Sequence, residues 1–261
     1  MSATFHEIFT RRSVILCAAV VALAGCGGTQ GRGIAGPATT ATTTTRACPA
    51  GSFRRLGSDA LAYAGVVRSH AVVLERPGGP RLASFGRLNV NGMPTVFAVL
   101  GERLDAACRP TLYRVQVPMH PNGVTGWVAP RAVDLAVVRT RIEVDLSSRR
   151  LTLFRGGRPV LHAPVAIGSS ATPTPTGRYY VNQRLIPADR SGPFGPGAVG
   201  ISAFSTVLTG WTQGGPIAIH GTNAPWSIGQ DVSNGCIRLR NEVLVRVFRA
   251  ALAGTPVIIR T

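Results

Sequence analysis

The chain contains no lysine: all 28 of its basic residues are arginine, set against only 11 acidic residues. A choice this complete reads as a high-GC coding bias, so it carries no argument for arginine-specific contacts. The shortage of acid leaves a formal net charge of +17, which suits an anionic partner such as nucleic acid, lipid headgroups or a cell-wall polymer. The arginines are scattered, without a dense run and without interleaved aromatics (aromatics are 6% of the chain). That pattern argues against nucleic acid and for a solvated surface with affinity for a wall. Long apolar runs are missing too: the run from Val14 to Ala24 is too short to span a bilayer.

What is present points to β structure. With 45% hydrophobic residues, 31 glycines and 19 prolines, the chain reads as turn-rich globular material, mainly β, long enough for one sizeable domain or two small ones. At the start, Arg11 and Arg12 precede the apolar run and small residues follow it, the order of a secretory signal peptide over residues 1–25. Leu23-Ala24-Gly25-Cys26 resembles the lipobox of bacterial lipoproteins. The resemblance implies cleavage before Cys26, diacylglycerol on its thiol, and an exported protein held at the outer face of the cell membrane. The competing reading is an ordinary signal peptide cut near Gly28. Thr10-Arg11-Arg12 is only part of a twin-arginine signal and leaves the export route open. Residues 26–46, dominated by Gly, Thr and Ala, read as a flexible tether, with the threonines at 39–45 as spacer.

Five cysteines sort by compartment. Cys17 leaves with the signal peptide and Cys26 is lipidated, so in an oxidising environment Cys48 and Cys108 form the natural disulfide pair. Cys236 remains alone. A lone thiol in an exported protein is a liability unless it has work to do.

Residues 47–136 carry short apolar runs at hairpin spacing, with tight turns at Pro77-Gly78-Gly79 and Asn122-Gly123, the pattern of a small antiparallel β-barrel. Within it "YRVQVPMHPNGVTGWV" resembles the end of bacterial Src-homology-3-like domains, with Trp127 as a core aromatic. A second unit spans 139–261. Ile142, Val144 and Leu146, then Leu151 and Leu153, then Val160 through Ile167 alternate as a β-meander. Residues 183–215 read as a long Gly/Pro-rich loop, placed to act as a lid. "GPIAIHG" reads as a short buried strand. "NEVLVRVFRAAL" has helical periodicity, with Val243, Leu244, Val247, Phe248 and Ala251 on one face and Gly254 as its stop.

The chemistry concentrates in "IHGTNAPWSIGQDVSNGCIRL", residues 219–239. His220 closes one strand and Cys236 precedes another, so two strand ends can bring imidazole and thiol together. The imidazole takes the thiol proton and the thiolate attacks a carbonyl. The other ring nitrogen needs a partner: Asp231 or the backbone carbonyl of Gly221. The N–H groups of Gly235 and Cys236 offer an oxyanion hole. Zinc needs three or four ligands, and one cysteine with one histidine does not supply them.

That stretch resembles the signature of the L,D-transpeptidases with a YkuD-type catalytic domain: His-Gly, a spacer, then Ser-x-Gly-Cys-Ile-Arg. "IEVDLSSRRLTLFRGGRPV", "TPTPTG" and "GTPVII" extend the likeness over residues 139–261. The resemblance implies Cys236 as nucleophile, His220 as base and the Gly221 carbonyl as third member, without cofactor or metal. It puts Ser233, Asn234 and Arg238 on the substrate, a peptidoglycan stem tetrapeptide. The third, L-centred residue is joined to an amine on a neighbouring stem as a 3–3 cross-link, with terminal D-Ala released. It implies acylation by carbapenems. Asn234 stands where many members carry His, which puts any pH-dependent role of that second imidazole in doubt. The alternatives are an L,D-carboxypeptidase using water as acceptor, an enzyme attaching a protein to the wall, and a non-catalytic wall-binding lipoprotein.

Overall fold

The computed structural model of the chain describes residues 47–261. The signal peptide (1–25), the lipidation site Cys26 and the tether (26–46) lie outside the described residues. The structure is mainly β. Two eight-stranded sheets and a two-stranded one carry a single α-helix among the described residues.

The N-terminal sheet contains β1 (Phe53–Arg55), β2 (Ala62–Val67), β3 (His70–Leu74), β4 (Arg81–Gly86), β5 (Val96–Leu104), β6 (Pro110–Gln116), β7 (Thr125–Val128) and β8 (Val133–Val138). Its order is β4-β3-β7-β6-β5-β2-β8, with β1 added against β5, and every pairing is antiparallel. Alternating residues fill its interior: Val67, Ala71, Val73, Phe97, Val99, Val115 and Val128 are all buried. Trp127 is half-buried and packs edge-on against Phe53. Cys48 and Cys108 form the disulfide expected from the cysteine count, tying the segment before β1 to the β5–β6 turn.

The second sheet is built from β9 (Thr140–Asp145), β10 (Arg150–Arg155), β11 (Arg158–Pro164), β13 (Gly177–Leu185), β14 (Ala198–Phe204), β15 (Pro216–His220), β17 (Ile237–Arg238) and β18 (Pro256–Arg260). The small strands β12 (Ile167–Gly168) and β16 (Asp231–Ser233) pair separately. β9, β10 and β11 form the expected meander, with Ile142, Val144, Leu151, Leu153, Leu161 and Ala163 pointing inward at every second position. The order β11-β10-β9-β18-β13-β14-β15-β17 includes two parallel neighbours, β9 with β18 and β15 with β17. The helix α1 (Asn241–Ala250) lays Leu244 and Val247 into the core. Val243, Phe248 and Ala251 pack beside them as the periodicity predicted.

One expectation is corrected. Residues 183–215 are not a continuous loop: β13 runs on to Leu185, and Ala198–Phe204 is a strand buried along almost its whole length. A strand at the centre of a sheet is covered on both faces, so it shows an unbroken apolar run instead of alternation. The flanking Gly and Pro concealed it. Two shorter loops remain, at 186–197 and 205–215.

Candidate active site

His220 ends β15 and is 4% exposed. Its strand is paired with β17 so that Ile219 faces Ile237 and His220 faces Arg238. Continuing that register puts Cys236 beside Ala218, whose backbone hydrogen-bonds the thiol. His220 and Cys236 are therefore diagonal neighbours on one face. At about 4.8 Å between strands and about 3.3 Å per residue, their Cα atoms stand about 8 Å apart. The two expected strand ends do meet, because β15 and β17 are adjacent and parallel.

The ring is held from its other side. Nδ1 donates to the carbonyl of Gly221 at 2.6 Å, which fixes the Nδ1–H tautomer and leaves the lone pair on Nε2. Among the described residues no hydrogen bond joins the ring to Sγ. The Gly221 carbonyl cannot shift easily. A Cβ at Gly221 would meet Asn241 Oδ1 at 2.3 Å and Pro196 Cδ at 2.8 Å. Asn241 Oδ1 also accepts from the Thr222 N–H at 2.8 Å, locking the turn just after the histidine. Phe194, from the 186–197 loop, covers the imidazole edge-on at 5.0 Å. Asp231, the other candidate for orienting the ring, is spent elsewhere: its carboxylate takes two bonds from Arg149, at 2.6 and 2.9 Å.

Burial dominates the electrostatics of the pair. It lowers the pKa of His220 to about 4. The Gly221 carbonyl opposes that shift and the positive charge of Arg238 adds to it. Burial raises the pKa of Cys236, against the opposing effects of the Ala218 backbone and Arg238. Both shifts favour the uncharged forms, thiol and neutral imidazole. Burial penalises the charged form of each group, and with it an ion pair.

The glycine-rich turn before Cys236 is shaped from below. Gly235 sits at φ +101°, a left-handed conformation that favours glycine. Its N–H donates to Ser233 Oγ at 3.2 Å, while Ser233 Oγ donates to the Cys236 carbonyl at 2.5 Å. Gly235 is therefore not aimed at an oxyanion as expected; the Cys236 N–H carries no hydrogen bond among the described residues. Ser233 is buried, which makes it a brace for the turn, whereas Asn234 is exposed and Arg238 half-buried. The sequence reading missed two braces. Thr174 is buried; its Oγ1 accepts from the Gly168 N–H at 2.8 Å and donates to the Gly235 carbonyl at 2.9 Å. Thr172 Oγ1 donates to the Ser233 carbonyl at 3.0 Å. Both belong to "TPTPTG", whose prolines signalled extended backbone but whose threonines gave no hint of what lay 61 residues on. Among the described residues no three His, Cys, Asp or Glu side chains come together as a metal site.

Comparison with known proteins returns one family over this region: the YkuD family, described as the L,D-transpeptidase catalytic domain, matches residues 139–259. A Bacillus subtilis protein named as the L,D-transpeptidase YkuD is 35% identical over 132 residues, covering 51% of this chain and 73% of that protein. Its Bacillus licheniformis namesake is 37% identical over 117 residues, covering 45% of this chain and 63% of the relative. Among solved structures, an Enterococcus faecium L,D-transpeptidase is 24% identical with a TM-score of 0.37, over 46% of this chain and 49% of that one.

Proposed function

Since the chain belongs to the L,D-transpeptidase family through its YkuD-type catalytic domain, we propose that it is a cysteine acyltransferase forming 3–3 cross-links between peptidoglycan stem peptides. The observation that carries this reading is the tautomer lock. With Nδ1–H committed to the Gly221 carbonyl, Nε2 keeps its lone pair on a residue whose strand position is diagonal to Cys236, the one free thiol among the described residues.

In the acylation step the Cys236 proton passes to His220 Nε2 as Sγ attacks the carbonyl carbon of the third, L-centred residue of a donor stem. A C–S bond forms and the carbonyl oxygen becomes an oxyanion. The Cys236 N–H is placed to receive it, and the nearby Arg238 charge favours anionic character. Collapse breaks the C–N bond to the terminal D-Ala, whose departing nitrogen takes the proton from Nε2. In the second step an amine on a neighbouring stem attacks the thioester and gives its proton to the neutral imidazole. The new amide forms, and Sγ leaves with that proton as the restored thiol. The ring is neutral at neutral pH and so available to accept a proton at the start of each half-reaction.

Arg238 and Asn234 face the donor stem in this proposal, while Ser233 acts through the turn it braces. Carbapenems, whose strained carbonyl presents the same electrophile, acylate Cys236. A lipid on Cys26 holds the enzyme at the outer face of the membrane, within reach of the wall.

The test is incubation of the full chain with purified disaccharide-tetrapeptides, followed by mass spectrometry of the products. Cross-linked dimers, lost in Cys236→Ala, are expected. Trimmed monomers alone would assign an L,D-carboxypeptidase, and dimers persisting in Cys236→Ala would refute the mechanism. No product, with no mass adduct after meropenem treatment, would make the protein a wall-binding module.

A further inference from the structure

The 205–215 turn lies immediately before β15. Pro216 of that strand pairs with Phe204, and Ala218, beside the thiol, pairs with Gly200. The end of the turn is thus about 10 Å upstream of the sulfur along one strand. The turn is solvent-exposed over most of its length; its own bonds close its base, with the Ser205 N–H donating to the Gly215 carbonyl at 2.7 Å and Ser205 Oγ accepting from the Val207 and Leu208 N–H groups. Its last three residues before β15, Gln213, Gly214 and Gly215, all lie in the left-handed region, at φ +60°, +78° and +72°. For Gln213 that conformation is disfavoured, and it persists only where the surroundings impose it.

The surroundings are the N-terminal sheet. At the entrance to the turn, Asn122 from the β6–β7 hairpin brackets one residue. Its Oδ1 accepts from the Phe204 N–H and its Nδ2 donates to the Phe204 carbonyl, both at 2.8 Å. One side-chain amide thereby supplies a rung of ladder on the edge of β14 where its pairing with β13 has ended. At the exit, the amides of Asn91 and Gln213 exchange hydrogen bonds, at 2.9 and 3.3 Å, fixing the strained residue by its side chain. Between them His120 donates from Nε2 to the Gly214 carbonyl at 3.1 Å and lies over the Phe204 ring at 4.6 Å. Asn91 also bonds Gln183 on β13, at 3.0 Å, and Asn89 bonds the same oxygen at 2.9 Å. The contact is therefore anchored to the sheet's interior as well as to the turn.

We propose that Asn91, His120 and Asn122 are positioning residues: the N-terminal sheet grips both ends of the 205–215 turn and so sets one wall of the approach to Cys236. The inference rests on Cys236 as the reacting atom. It makes the N-terminal unit part of the working site and not a spacer. The three residues touch neither sulfur nor imidazole; they act through the turn.

The experiment compares the full chain with its Asn122→Ala and Asn91→Ala variants in three measurements. Loss of one amide grip, at about 1 kcal/mol per hydrogen bond, should accelerate backbone hydrogen exchange across 205–215 by about fivefold or more, with β9–β11 unchanged. The rate of Cys236 alkylation by a maleimide-bearing tetrapeptide, divided by that with iodoacetamide and read at the Cys236 peptide, should shift by a similar factor. A merely structural role would move both reagents alike. The stem-peptide KM should rise about fivefold with kcat within twofold. Unchanged exchange at 205–215, or an unchanged alkylation ratio, would overturn the proposal. If the unaltered chain turns nothing over while the alkylation ratio responds, the acyl-transfer reading fails and the grip on the turn stands.

Discussion

Replacing His220 with Gln should remove a large part of the stability this fold loses between pH 7.5 and pH 4.5. The histidine is 4% exposed, and burial brings its pKa from 6.5 to about 4. The folded state thus prefers the neutral ring, and a group with a depressed folded pKa contributes stability that is complete above its unfolded value. That contribution is lost as the pH falls from 6.5 toward 4, where the unfolded chain binds the proton first. A shift of this size corresponds to about 3 kcal/mol when fully titrated, at 1.36 kcal/mol per pH unit. The carboxylates of Asp105, Asp145, Asp189 and Asp231, all with lowered pKa values, also lose stability on acidification, but at lower pH and equally in both proteins. Urea unfolding at pH 7.5 and pH 4.5 separates the two sources. The native protein should lose more stability between those pH values than His220→Gln, by about 2 to 3 kcal/mol. Equal losses would mean that the imidazole titrates as it does in water, and the neutral-pair account of the site would fall.

Three further outcomes follow from the geometry. Gly221→Ala should destabilise the fold by about 1 to 3 kcal/mol and cut thioester formation with meropenem at least tenfold. Its new Cβ cannot coexist with Asn241 Oδ1 at 2.3 Å without displacing the carbonyl that orients the ring. Thr174→Val keeps the shape and removes both bonds made by a buried hydroxyl, so chemical denaturation should show a loss of about 2 to 3 kcal/mol. The same variant should slow acylation of Cys236. Asp231→Asn should leave the acylation rate within twofold and cost no more than about 1 kcal/mol, since its carboxylate pairs with Arg149 at the surface and not with the imidazole. A large loss of rate there would reopen Asp231 as the ring's partner.

Much of the site was legible before any fold was known. Cys236 stood out because Cys48 and Cys108 accounted for each other, and the disulfide between them is present. The strand ending at His220 was readable as a short buried apolar run and the helix at 241–250 from its periodicity. Ala198–Phe204 was not readable, because a strand covered on both faces carries no alternation and its flanks look like loop. The braces from Thr172 and Thr174 reach across 61 residues, and no window of sequence contains both ends of such a bond.

The amino-acid sequence by itself determined which atoms are available: one unpaired sulfur, one imidazole at a strand end, and glycines where a side chain would obstruct them. Only the tertiary structure decided that Gly221 and not Asp231 orients the ring. It alone supplied the burial that favours the uncharged forms of the pair, and it alone brought the N-terminal sheet to the turn before β15. Chemical identity travels with the residue, but desolvation and long-range hydrogen bonds exist only once distant segments have closed over one another and excluded water.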